Sequence, residues 1–115
     1  MKSFGMTLGL RDDPGVVEAY KEYHRAVWPE VVEGLKGVGI TQMRIFLRGR
    51  RLFMYMETVD DFDLDRDFPR YMESRRAQEW DTLMRTYQEP VPEARPDEWW
   101  ASMEQVYDLE GRLTS

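Results

Sequence analysis

The sequence predicts a single α+β domain in which helices cover an antiparallel sheet, on the basis of three observations. The chain has 115 residues, the size of one compact domain. Hydrophobic residues make up 42% of it and aromatic residues 13%, enough apolar surface for a buried core. Segments with the two-residue period of strands alternate with segments that have helical spacing. We expect the domain to span residues 1–110, followed by a C-terminal tail at 111–115.

The first forty residues predict a strand and a helical region that is broken once. In residues 3–10, apolar side chains alternate with small or polar ones, which is typical of a strand with one buried face. Asp13, followed by a proline, predicts a helix start with Asp13 as the capping residue. Side chains at helical spacing follow, namely Val17, Tyr20, His24 and Val27. Pro29 predicts a break before a second helical piece that ends near Gly37.

Residues 40–59 predict a β-hairpin with apolar side chains on both faces. Two strand-like runs, 40–47 and 52–59, are joined by a short turn that is rich in arginine. In the second run, one face carries Leu52, Met54 and Met56, and the other carries Phe53 and Tyr55. In the first run, strict alternation places Ile40 and Phe46 on the face opposite to Met43, Ile45 and Leu47.

The last third of the chain predicts a long helix, a loop and a closing strand. Helical spacing extends from about residue 61 to residue 88 and is interrupted by Pro69. Three prolines hold residues 90–98 in a loop, and residues 103–109 predict the final strand. The order of elements is therefore βαββαβ, the ferredoxin-like arrangement.

The second face of this sheet is apolar and is not covered by the predicted helices. Because helices cover only one face, the apolar side chains of the other face are expected to be buried against something else. We expect sheet-to-sheet homodimerisation. The alternative is a monomer in which residues 90–100 cap the second face.

The composition excludes several classes of function. There are 22 acidic and 16 basic side chains, and the net charge of −6 argues against a general binder of nucleic acid, which needs a basic surface. The sequence has no cysteine, which excludes disulfides, thiolate metal sites and cysteine nucleophiles. No apolar run is long enough to cross a membrane or to act as a signal peptide. We therefore expect a soluble, cytoplasmic protein.

The segment 20–30, YKEYHRAVWPE, carries the most informative pattern. Tyr20 and His24 are four residues apart, so on a helix they lie on one face. A phenol hydroxyl and an imidazole held side by side can orient a small polar molecule and exchange protons with it, since the pKa of histidine is ordinarily about 6.5. The alternative for His24, the single histidine, is a half-buried side chain satisfied by a neighbouring carbonyl.

The spacing Tyr-x3-His-x3-Trp-Pro-Glu, close behind a first strand, resembles the L-rhamnose mutarotase family, whose members interconvert the α and β anomers of a free sugar. The resemblance covers nearly the whole chain, including Gln78-Glu79-Trp80 and residues 103–109. It implies a dimeric α/β barrel that works without a cofactor. It also implies that His24 is the catalytic acid/base and that Tyr20 contacts the sugar.

Two positions depart from the pattern of the family members best matched to rhamnose. Those proteins carry two adjacent tryptophans where this chain has Trp80 and Asp81, and a tyrosine where it has Met43. Trp80 keeps an apolar face for the C–H side of a sugar ring, whereas Asp81 offers acceptor oxygens. We expect Tyr20, Trp80 and Asp81 to bind the substrate. Because a site built around particular hydroxyls discriminates among epimers, L-fucose is a serious candidate beside L-rhamnose.

We therefore predict an isomerase, a mutarotase of a 6-deoxy-L-hexose, that opens the sugar ring by general acid–base catalysis. Mutarotation removes a proton from the anomeric hydroxyl and delivers another to the ring oxygen, and positioned proton carriers supply about 10²- to 10⁴-fold acceleration. His24 is the expected carrier, and water, the sugar itself, Tyr20 or Asp81 completes the transfer. The alternatives are a cofactor-independent monooxygenase of the same fold, which needs an apolar cavity, and a non-catalytic ligand-binding dimer.

Overall fold

The computed structural model describes residues 1–111 and shows two helices in each of the two helical regions. The helices are Val16–Arg25 (α1), Pro29–Gly37 (α2), Leu64–Tyr71 (α3) and Arg75–Arg85 (α4). The strands are Lys2–Leu10 (β1), Ile40–Arg48 (β2), Arg51–Thr58 (β3), Gln88–Glu89 (β4) and Ala101–Met103 (β5). Of the predicted tail at 111–115, residues 112–115 lie outside the described part of the chain.

The strands form one antiparallel sheet in the order β2-β3-β1-β4, and β5 also pairs with β1. This arrangement confirms the predicted α+β class and its ferredoxin-like order. The last strand is where the prediction was wrong: β4 pairs with Gly9 and Leu10, β5 pairs with residues 5–7, and residues 104–109 form no strand. The three prolines between β4 and β5 have no N–H to donate to the sheet. The chain therefore leaves β1 after β4 and pairs with it again at β5.

The helix boundaries differ from the prediction at two places. The predicted long helix is two helices, because Ser74 starts α4 by accepting a hydrogen bond from the N–H of Ala77 at 3.3 Å, while Pro69 lies within α3 without ending it. Asp13 does not cap α1 with its side chain. Gly15, at φ 81°, precedes the first helical residue, Val16. The backbone oxygen of Asp13 accepts a hydrogen bond from the N–H of Val16 at 3.3 Å.

The helices pack on one face of the sheet and form the core. Pro29 is the first residue of α2, as predicted, since a proline there loses no helical hydrogen bond. The largest fully buried apolar side chains on this side are Leu8, Leu10, Val31, Leu52 and Phe62. None of the helices within residues 1–111 is both long and apolar enough to cross a membrane. The cytoplasmic location stays a prediction.

A β-bulge at the start of β2 corrects the prediction for Ile40. Ile40 lies opposite Thr58 and Gln42 lies opposite Glu57, so Thr41 is an extra residue in the pairing. The bulge changes the face of every residue before it, so Ile40 is buried in the helix-covered core instead of sharing the face of Phe46.

The other face of the sheet is apolar and partly exposed. Phe46 is 55% exposed and stacks on Phe53, with 6.1 Å between the ring centroids. Met103 is 49% exposed and lies opposite Gly5 on the same face. The two tryptophans of the 90–100 loop pack against the helix-side core, away from this face.

The start of α3 depends on a buried carboxylate. Asp63 caps the helix by accepting from the N–H groups of Asp65 and Arg66, at 2.9 and 3.1 Å. Asp67, 2% exposed, accepts from the Asp63 N–H at 2.9 Å and from the guanidinium groups of Arg66 and Arg70. These bonds, that of Arg66 above all, hold the pKa of Asp67 well below its usual range.

We expect Asp67→Asn to lower the thermal unfolding midpoint at neutral pH and to flatten its dependence on pH. Because the pKa of Asp67 is lower in the folded state, its contribution is present above the unfolded-state pKa of about 3.9 and is lost as the pH falls below it. Circular dichroism melts between about pH 7 and pH 3 measure this. Asp65→Asn, at an exposed position on the same helix, is the control. Equal pH dependence in the two variants would contradict the assignment.

Candidate active site

A cavity of about 500 Å³ lies between the helices and the helix-covered face of the sheet. The four predicted site residues line it: Tyr20 and His24 from α1, and Trp80 and Asp81 from α4. Met43, the other position that departs from the family pattern, lines it from β2. The volume is within the range of small-molecule sites. The structure therefore brings the predicted residues together, while their chemical roles stay predictions.

Helix α1 presents Tyr20 and His24 side by side. Tyr20 is 4% exposed, and its ring lies 4.3 Å from the imidazole, centroid to centroid, at an interplanar angle of 31°. The indole of Trp80 meets the imidazole edge-on at 5.5 Å. The opposite side of α1 is charged and exposed, carrying Glu18, Lys21, Glu22 and Arg25. This amphipathic pattern orients the phenol and the imidazole toward the cavity.

The hydrogen bonding of His24 determines which of its nitrogens is a base. Its Nδ1 lies 2.8 Å from the backbone oxygen of Tyr20. A carbonyl oxygen can only accept, so Nδ1 carries the hydrogen and, in the neutral ring, Nε2 carries the lone pair. Burial lowers the pKa of His24, and the bond to Tyr20 opposes this in part. The carbonyl contact considered as an alternative is therefore present, and it leaves Nε2 as the basic atom at neutral pH.

A chain of hydrogen bonds runs from Trp99 through Gln88 to the hydroxyl of Tyr20. The indole N–H of Trp99 donates to Oε1 of Gln88 at 2.8 Å, and Nε2 of Gln88 donates to the Tyr20 oxygen at 3.2 Å. Burial raises the pKa of Tyr20 to about 12, and the bond from Gln88 opposes this in part. Tyr20 is therefore a neutral phenol at physiological pH.

Asp81 lies at the edge of the cavity in an ion pair. Nε of Arg85, one turn further along α4, donates to Oδ2 of Asp81 at 2.9 Å. The same guanidinium lies 4.6 Å from the ring centroid of Trp99. Asp81 is 35% exposed at its side chain, so the pair is a modest source of stability, and its main effect is to hold the carboxylate in place.

Among the cavity residues that sequence reasoning missed are Tyr71 and Gln88. Tyr71 ends α3, and its pKa is raised to about 12, first by burial and then by the charge of Asp81. Gly34 of α2 makes room for it, because a Cβ there would lie 3.1 Å from the Tyr71 ring. No motif marks these residues, and both Tyr71 and Gln88 fall in what was predicted as one long helix.

Comparison with known proteins identifies the family. The family model described as L-rhamnose mutarotase matches residues 3–109. The chain belongs to the L-rhamnose mutarotase family. Membership confirms the predicted enzyme class, a mutarotase-type isomerase.

Relatives in this family carry the names of both candidate sugars. The L-fucose mutarotase of Xanthomonas campestris is 34% identical over 111 residues, covering 95% of this chain and 89% of that protein. The L-rhamnose mutarotase of Listeria monocytogenes serotype 4b is 34% identical over 86 residues, covering 73% and 75%. A UPF0734 protein of Dictyostelium discoideum is 47% identical over 113 residues, covering 95% and 90%.

Solved structures share the fold. The crystal structure of an L-rhamnose mutarotase from Formosa agariphila matches with a TM-score of 0.68 at 23% identity, covering 96% of this chain and 100% of that one. Tetracenomycin F2 cyclase from Streptomyces glaucescens, a polyketide cyclase, matches with a TM-score of 0.61 at 17% identity, covering 94% and 96%. The fold therefore serves different chemistries, and function has to be argued from the site.

We expect His24 to titrate below the ordinary histidine pKa of about 6.5, because burial disfavours its charged form. His24 is the single histidine, so its Cε1–H signal in a proton NMR titration reports on this site alone. The same chain unfolded in urea supplies the reference. A folded-state midpoint equal to or above that of the unfolded chain would show that the ring is not buried as described.

Proposed function

We propose that this protein interconverts the α and β anomers of a 6-deoxy-L-hexose, with His24 as the acid/base. The observation that carries the proposal is the neutral imidazole of His24, basic at Nε2, whose ring lies 4.3 Å from the phenol ring of Tyr20 in the lining of one cavity. A base and a donor side by side suit a hemiacetal, which has to lose a proton at one oxygen and gain one at another. Mutarotase names among the relatives support the same reaction.

The proposed reaction balances without any added reactant. Nε2 of His24 takes the proton of the anomeric hydroxyl, the C1–O5 bond breaks as C1 becomes an aldehyde, and O5 takes a proton from Tyr20 or from water. Rotation about C1–C2 presents the other face of the aldehyde. On closure, O5 returns its proton and attacks C1, while the new anomeric oxygen recovers the proton held by His24.

The lining of the cavity suits a deoxy sugar better than a flat aromatic molecule. Trp80 supplies an apolar surface for the C–H side of a sugar ring. Tyr20, Tyr71 and Asp81 supply polar groups for its hydroxyls. Most of the lining is apolar, which is the feature that the monooxygenase alternative needs, so the choice of a sugar rests on these polar groups and on the mutarotase relatives.

L-Fucose is the sugar that we propose first, with L-rhamnose second. Asp81 and Met43, the two departures from the rhamnose pattern, both line the cavity. The L-fucose mutarotase relative also matches 95% of the chain, against 73% for the L-rhamnose mutarotase of Listeria monocytogenes.

The activity is tested by saturation-transfer NMR on equilibrium mixtures of L-fucose and of L-rhamnose. We expect the wild-type protein to accelerate exchange between the α and β anomeric protons, and His24→Ala to lose about 10²- to 10⁴-fold of that rate. Lys21→Ala, at an exposed position on α1, is the control. Full activity of His24→Ala would remove His24 from the mechanism, and no acceleration of either sugar by the wild type would refute the proposed function.

We expect Asp81→Trp combined with Met43→Tyr to shift the preference toward L-rhamnose, by about tenfold in the ratio of the two exchange rates. The double substitution restores the aromatic pair and the hydroxyl of the rhamnose pattern in the cavity lining. Since Asp81→Trp also frees Arg85, Arg85→Ala serves as the control for loss of the ion pair. An unchanged ratio would show that these two positions do not select the sugar.

We also propose that the protein is a homodimer joined through the uncovered face of the sheet. The stacked pair Phe46 and Phe53, the exposed Met103 and the neighbouring Tyr107 form an apolar surface there. Burying such a surface against its own copy removes it from water. The family resemblance, which implies a dimeric barrel, supports the same arrangement.

Light scattering on a sizing column tests the dimer. We expect the wild type to have twice the 13.8 kDa mass of one chain, and Phe46→Glu to have the mass of one chain, because a carboxylate would be buried in the interface. Val59→Glu places the same charge at a 44% exposed position beyond the end of β3 and should leave the dimer intact. A wild-type mass of 13.8 kDa would refute the dimer.

A further inference from the structure

Gln88 is a buried amide in the cavity lining that is hydrogen-bonded to the phenol of Tyr20. It is 4% exposed and belongs to β4, where it pairs with Leu10 of β1. Its side chain bridges two aromatic groups, with Oε1 2.8 Å from Nε1 of Trp99 and Nε2 3.2 Å from the oxygen of Tyr20. An uncharged amide is neither the acid nor the base of the reaction, and its hydrogen bond to Tyr20 is its contact with the phenol that the proposed function uses.

The chemistry of the three groups determines the direction of both hydrogen bonds. The indole N–H of Trp99 can only donate, so the amide oxygen of Gln88 has to face it. The amide NH₂ therefore faces Tyr20, and because it can only donate, the Tyr20 oxygen has to accept. The opposite amide orientation would place two donors against each other and leave both unsatisfied in a buried site. The hydroxyl hydrogen of Tyr20 consequently does not point at Gln88.

We propose that Gln88, oriented by Trp99, is a positioning residue that makes Tyr20 a hydrogen-bond donor toward the sugar in the cavity. The inference rests on the proposed function. It assigns complementary directions to the two groups on the cavity face of α1: Nε2 of His24 accepts, and the hydroxyl of Tyr20 donates. A donor placed before the reaction begins stabilises the negative charge that develops on the ring oxygen as C1–O5 breaks.

Gln88→Glu reverses this direction with almost no change in shape. When the introduced carboxyl group is ionised, it accepts from both neighbours, so the hydroxyl of Tyr20 turns toward residue 88 and away from the sugar. When it is protonated, the wild-type pattern returns, because its carbonyl oxygen accepts from Trp99 and its O–H donates to Tyr20. Burial raises the pKa of a carboxyl group at such a position, which brings this switch within reach of mild acid.

The test compares anomer exchange by Gln88→Glu and by the wild type between about pH 8 and pH 5. At the alkaline end we expect kcat to fall about 10²-fold with little change in KM, the loss seen when one preorganised donor is removed. The variant to wild-type ratio of kcat should then rise as the pH falls. Gln88→Leu should also lose kcat, with a ratio that stays constant, because leucine has nothing to titrate.

The other titratable groups around the cavity are the same in the wild type and in both variants at residue 88. They are His24 and Tyr20 on α1, Lys36 on α2, Tyr71 on α3 and Asp81 on α4, and Arg85 lies against Trp99. Their effects on kcat are shared by the variants and the wild type, so they cancel to first order in the ratio of the two kcat values. Any pH dependence that Gln88→Glu shows and Gln88→Leu does not is then due to the carboxyl group at residue 88.

Two further variants test the role of Gln88 whether or not Gln88→Glu folds. Trp99→Phe removes the donor that orients the Gln88 amide, so the amide can turn. We expect it to lower kcat by less than Gln88→Leu does, at constant KM. This variant is the test of the inference if Gln88→Glu does not fold. Gln78→Glu, the same change at an exposed position on α4, should leave kcat unchanged. If the wild type accelerates exchange but the variants at residues 88 and 99 change only KM or thermal stability, Gln88 does not position Tyr20 for the reaction. The same conclusion follows if the ratio of kcat between Gln88→Glu and the wild type does not vary with pH. If the wild type is inactive, the proposed function itself fails.

Discussion

The hydrogen bond between Nδ1 of His24 and the backbone oxygen of Tyr20 is the constraint on which the site depends. It occurs within α1, between residues one turn apart, and it needs no other element to form. Because it binds the hydrogen on one ring nitrogen, it leaves the other nitrogen as a base. The packing of α1 against the sheet then buries the imidazole and lowers its pKa, which favours the neutral ring. A local backbone bond thus selects the tautomer, and tertiary packing selects the charge state.

Two polar groups of the cavity are each held by a neighbouring side chain. Arg85 holds Asp81, and Gln88 holds the Tyr20 hydroxyl. Trp99 connects the two, since its indole N–H bonds Gln88 and its ring lies against the guanidinium of Arg85. The segment from α4 through the proline-rich loop is therefore a continuous support for the site. Groups held in this way lose little freedom when a ligand binds, which is the physical basis of preorganisation.

The one-sided arrangement of helices on the sheet explains both main surfaces of the molecule. On the covered face, the sheet and the helices leave a cavity between them, lined by residues such as Met43 and Tyr71. On the other face, Phe46 stacks on Phe53 and remains more than half exposed. The same topology therefore forms the candidate site on one face and leaves an apolar surface on the other.

Local sequence determined the elements and the pair at the centre of the site. Two-residue alternation identified β1 and the hairpin, Pro29 marked the start of α2, and the four-residue spacing brought Tyr20 and His24 to one helix face, because these features depend on neighbours in the chain. Only the tertiary structure decided the remainder. The bulge at Thr41 moved Ile40 into the core, the final strand was divided into β4 and β5, and Tyr71, Gln88 and Trp100 reached the cavity. Each of these depends on contacts between residues distant in sequence, for which the local pattern of side chains carries no signal.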